Sequence, residues 1–187
     1  MLRLQATDQP QSPAGRHGLA GQIITHVHGD HVFGLEDFAF GRFYETRGEV
    51  GSIVSGGPQP HFVAHSAVRE EEWSTLYASL RYHKLGDNPT AGTLNTYFHV
   101  CAPVAVEPPA DNEWNHSESF EAGGTHLIAR ESEHVPGKPS CSLEISIDPA
   151  SDRIAWWSGD CTVDADYLAS IEARTSISFH DCTFAEQ

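Results

Sequence analysis

Apolar residues in this chain fall into short runs separated by glycine, proline and polar turns, and each run predicts one element. Ile23 and Ile24 read as the end of a buried strand, and residues 32–40 as a short apolar helix whose N-terminus points back at the polar run before it. Residues 41–60 read as a loop, and residues 61–64 as a second buried strand. An amphipathic helix is predicted over 66–85, with Ser66 as N-cap and Val68, Leu76, Tyr77, Leu80 and Lys84 near one stripe. His65, at that junction, reads as structural. Turn signals crowd residues 86–124, where the alternation over 97–106 favours a strand and Trp114 and His116 read as exposed loop. Strands follow at 125–130, after the Pro/Gly turn near 136–139, and at 153–157, and a short helix over 164–173 carries Tyr167, Leu168 and Ile171 on one face. Residues 1–19 have no sustained period and read as an irregular arm, leaving 20–187 as a single domain.

Length and charge narrow the classes of function. A chain of 187 residues suffices for one domain with a sizeable core. The formal net charge of −15 argues against a broad basic face for long nucleic acids, although a small anionic or ester substrate can still be held by local cations. Cys101, Cys141, Cys161 and Cys182 form no C-x-x-C pair, and the chain shows neither a secretory leader nor a run of about 20 apolar residues. The expectation is a soluble cytoplasmic protein with reduced thiols and no membrane contact.

The chemistry concentrates after the first strand, where Thr25, His26, Val27, His28, Gly29, Asp30 and His31 follow one another. Folding does not require that density of imidazole and carboxylate, which are poor core groups unless paired. Such groups suit zinc, with manganese or iron as alternatives. On an extended chain His26 and His28 can approach one ion, while Asp30 and His31 turn towards a second.

This T-H-x-H-x-D-H order resembles the signature of the metallo-β-lactamase superfamily. Three further segments resemble its ribonuclease Z/phosphodiesterase branch: His134-Val135-Pro136 before an alternating strand, Ser158-Gly159-Asp160 after an apolar one, and Phe179-His180-Asp181, with Asp181 where the family has glutamate. The resemblance implies an α+β fold, an αββα sandwich with a binuclear centre and a metal-bound hydroxide as nucleophile. It implies His26, His28 and His134 on one Zn2+, Asp30 and His31 on another, Asp160 bridging, Asp30 also orienting the hydroxide catalytically, and His180 as a supporting or substitute ligand. It covers residues 22–184, and the family's opening strands and closing histidines are not matched, so an incomplete sandwich is expected and, from its open edges, a homo-oligomer. The expected function is a metal-dependent phosphodiesterase acting on a small phosphodiester such as a cyclic nucleotide, or on an RNA 3′-end. Lactone or thioester hydrolysis and a non-catalytic metal-binding subunit are the alternatives.

Overall fold

A computed structural model describes residues 2–5, 19–45, 59–85, 88–106, 116–148, 150–162 and 164–181. Its frame is a mixed α/β arrangement of two main sheets. In the smaller, β2 (Leu19–Ile24) pairs antiparallel with β1 (Leu2–Gln5) and parallel with β3 (His61–Ala64), which in turn pairs with β6 (His99–Val100). A separate hairpin joins β4 (Tyr82–Leu85) to β5 (Asn88–Ala91). The larger sheet runs from β7 (Val104–Val106) through β8 (Ser117–Ala122), β9 (Thr125–Glu131), β10 (Cys141–Asp148) and β11 (Arg153–Trp157) to β12 (Thr175–Phe179). Its last pair is parallel, because α5 (Ala165–Ile171) carries the chain back across the sheet before β12 begins.

One core lies between these parts. Ile23, Ile24, Phe62 and Val63 of the small sheet pack with Phe120, Leu127 and Leu143 of the large one, and with helices α2 (Leu35–Glu45) and α3 (Ser66–Leu80). Along β11 the side chains alternate as a pleat requires. Trp157 packs against this core, while Ile154 and Trp156 face Ile171, Tyr167 and Leu168 of α5. The face predicted for that helix is therefore the one it buries.

Several predicted elements come out differently, for local reasons. The helix expected over 32–40 is split: a single turn, α1 (Gly29–Val32), ends before Gly34, whose φ of +87° breaks the path, and α2 continues to Glu45. The helix expected to reach 85 stops at Leu80. Its buried stripe is Val68, Glu72, Leu76 and Leu80, spaced by four, whereas Tyr77 is turned out to solvent. The strand expected over 97–106 divides into α4 (Leu94–Tyr97), β6 and β7. Thr96 Oγ1 accepts from the Thr93 amide at 2.9 Å and caps that helical turn, and Tyr97 and Phe98 are both buried where alternation would expose one of them. Within the arm expected to be irregular, residues 2–5 form β1. The loop over 46–58, Trp114 and Cys182 lie outside the described residues, and His116 is exposed as expected. No helix among the described residues is long and apolar enough to cross a membrane.

Candidate metal centre

The two sheets meet where β2 ends. The Cys141 amide donates to the Thr25 carbonyl at 2.9 Å, and an isolated bridge pairs His26 with Ser140. This junction brings the loop between β9 and β10, with His134, onto the histidines that follow β2. Ser132 N to Ser140 O at 3.0 Å closes the base of that loop, and a 2.6 Å ion pair from Lys138 to Glu71 ties it to α3. The turn after β11 is joined to it by the Thr162 amide, which donates to Glu133 O at 2.9 Å.

Gly159 places the carboxylate. Its φ is +61°, and a Cβ there would lie 3.2 Å from the Cys141 carbonyl and 3.4 Å from Thr25. Only glycine passes through this gap in that conformation without strain. Asp160 then projects between two imidazoles, its Oδ2 3.6 Å from His26 Nε2 and 3.1 Å from His31 Nε2.

One ligating atom from each of His26, His28, His134 and Asp160 lies within 4.8 Å of the other three. His134 Nε2 and His28 Nδ1 are 3.1 Å apart. Two nitrogens bonded to one tetrahedral zinc sit about 3.3 Å apart. His26 is fully buried; Thr25 Oγ1 hydrogen-bonds its Nδ1 at 3.2 Å and so turns Nε2 to the centre, where it has no hydrogen-bond partner among the described residues. Burial, then the neighbouring His31, lowers its pKa to about 4 against the opposing pull of Asp160. The imidazole is thus neutral near pH 7, the form that binds a metal. A buried nitrogen with no hydrogen-bond partner among the described residues, facing two imidazoles and a carboxylate, fits a divalent cation.

The other expected site residues lie around this cluster. His31 sits beside Asp160, while Asp30 is at the rim, its side chain 80% exposed and its Oδ2 3.5 Å from His31 Nε2. His180 lies across an open cleft of about 450 Å³ lined also by Ser158, Gly159 and Asp160. Its Nδ1 donates to the Asp181 carbonyl at 2.5 Å and its ring leans on Trp156 at 5.5 Å. His65 caps α3, accepting from the Ala67 amide at 3.4 Å, the structural role expected. Sequence reasoning missed Thr25 and Lys138. Thr25 was visible as the first letter of its motif, but nothing in the sequence pairs Lys138 with Glu71.

The model of one protein family, described as Anti-Pycsar protein Apyc1, matches residues 14–187. The chain belongs to that family. Named relatives include Anti-Pycsar protein Apyc1 of Paenibacillus xerothermodurans, 29% identical over 173 residues that cover 90% of this chain and 57% of the relative. The protein of that name from Paenibacillus sp. (strain J14) is 30% identical over 146 residues, 78% of this chain and 47% of the relative. That of Bacillus phage 010DV004 is 26% identical over 187 residues, 92% and 62%. The chain spans about half the length of the curated relatives it matches.

Membership in the Anti-Pycsar protein Apyc1 family corrects the assignment to the metallo-β-lactamase superfamily and its ribonuclease Z/phosphodiesterase branch. It also overturns the expected function, a binuclear hydrolase of phosphodiesters, because the relatives are named for an anti-Pycsar role. The physical reason is one of extent. Four short motifs carry that resemblance, whereas the family model matches residues 14–187.

Proposed function

We propose that this chain opposes Pycsar, as its relatives' names state of them, and that it does so as an enzyme centred on one divalent cation, zinc by ligand type, held by His26, His28, His134 and Asp160. The observation that carries this reading is Nε2 of fully buried His26, which has no hydrogen-bond partner among the described residues and faces two further imidazoles and a carboxylate within 4.8 Å. Left unfilled, such a group costs about 1–3 kcal/mol. A divalent ion held by these four residues would supply Lewis acidity.

The chain's own residues set the conditions for that chemistry. Thr25 holds the His26 ring orientation, Lys138 and Glu71 hold the loop that presents His134, and Gly159 sets Asp160 between His26 and His31. The cleft beside Asp160 opens to solvent and admits a small ligand. In a chain of net charge −15, a small anionic ligand would be attracted by the cation and not by the general surface. The same reading puts the protein in the cytoplasm, where the free thiols Cys101, Cys141 and Cys161 stay reduced.

The test expresses the chain, or its His134→Ala variant, in cells where Pycsar is active, and measures the metal content of each purified protein. The variant should lose one equivalent of zinc per chain together with the anti-Pycsar effect, and wild-type chain should act at amounts well below stoichiometric. A variant that keeps both its zinc and its effect would overturn the proposal.

A further inference from the structure

A second group of ligating side chains meets at the opposite end of the small sheet. His61 opens β3 and His99 opens β6, and the two are register partners across the parallel ladder. Cys101 follows His99 by two residues, which on an extended chain returns its side chain to the same face. The imidazole centroids are 5.1 Å apart with planes at 88°, and Cys101 Sγ lies 3.6 Å from His61 Nδ1. One ligating atom from each of the three lies within 4.8 Å of the other two. Zinc with bonds of about 2.0–2.3 Å holds its ligands about 3.3–3.8 Å apart, so small side-chain rotations suffice to close the set.

Gly21 allows His61 to lie where it does. It is the register partner of His61 on β2, and a Cβ on it would come within 2.5 Å of the His61 carbonyl and 2.7 Å of the His61 Cβ. His61 therefore rests on bare backbone. From Gly21 to His26 the chain climbs five residues, about 16 Å at the rise of an extended strand, so this group is separate from the first cluster.

We propose that His61, His99 and Cys101 form a second cation site, which takes a thiophilic divalent ion, zinc by its two-imidazole, one-thiol ligand set, with a fourth position open on the solvent side of exposed His99. Mixed nitrogen and sulfur donors select zinc over the harder cations that prefer oxygen. The Cys101 thiol loses its proton to water as the sulfur–metal bond forms, so one proton is released per ion bound. The consequence is mechanical. The β3–β6 ladder has only two register pairs, and a shared ion would fasten β6 to the sheet.

Cobalt titration of the whole chain tests this, because a thiolate on Co2+ gives a charge-transfer band that imidazole and carboxylate ligands do not. Wild type should develop the band as one equivalent fills, and His134→Ala should keep it. Cys101→Ser should abolish it, and His99→Ala, a change at an exposed position, should weaken cobalt binding there at least tenfold. No band in wild type, an undiminished band in Cys101→Ser, or a band lost in Cys161→Ser but not in Cys101→Ser would each overturn the proposal. Absence from wild type decides the matter without any variant having to fold.

Discussion

Glu72 occupies a position on α3 where the stripe of Val68, Leu76 and Leu80 calls for an apolar residue. Neither of its carboxylate oxygens has a hydrogen-bond partner among the described residues, and burial, with Glu71 adding to it, raises its pKa from about 4.5 to about 7. The folded chain holds this proton more tightly than the unfolded one. Stability from the neutral acid is thus complete below about pH 4.5, falls as pH rises towards 7, and is flat above that. A shift of that size corresponds to at most about 3 kcal/mol. Glutamine imitates the protonated acid, so Glu72→Gln should remove the falling limb and stabilise the chain at pH 8 while changing little at pH 4. Urea unfolding at the two values checks it, and an equal effect at both would count against the assignment.

Among the elements, the loop from Ser132 to Ser140 is held on three sides: by its own base, by Thr162 and by the Lys138–Glu71 pair. An ion pair that stays partly accessible, its side chains 22% and 30% exposed, contributes modestly to stability, about 1 kcal/mol. Its effect on a ligand it orients is larger, about tenfold in metal affinity for supporting groups of this kind. Lys138→Ala should therefore weaken zinc binding in a chelator competition while the unfolding midpoint barely moves; unchanged affinity would show that the loop holds His134 unaided. This division of labour also explains what the sequence reveals. Local signals were legible: the β-branched end of β2, the strand at His61, the Tyr167/Leu168/Ile171 face of α5, and the histidines packed into positions 26–31. His134 and Asp160 could be linked to them by motif because each closes or follows a strand. The break in the predicted strand at Phe98 was not legible, because it follows from burial of two adjacent aromatic rings. Nor was the His61, His99 and Cys101 group, since the pairing of β3 with β6 is set by the fold and only the H-x-C spacing hinted at a shared face.

At the scale of the molecule, the cluster at His26 draws on both sheets, so a cation held there would stabilise the whole fold. An ion present at about one hundred times its dissociation constant adds about 2.7 kcal/mol. For a chain of this size that raises the melting temperature by about 5–10 °C. Zinc added to chelator-treated protein should give such a shift in calorimetry, and His134→Ala should keep only the part supplied by the second site. No shift in wild type would mean that the four side chains hold no ion in the folded state.

The junction between the Thr25 carbonyl and the Cys141 amide has a consequence for biosynthesis. His26 and His28 leave the ribosome more than a hundred residues ahead of Asp160, and two imidazoles on an unfinished chain are a weak chelate. On the proposed reading, metal loading would wait until the second sheet is made and docked. Metal starvation during translation should therefore leave nascent-chain folding up to that docking step unchanged, and its harm should fall only on the finished product.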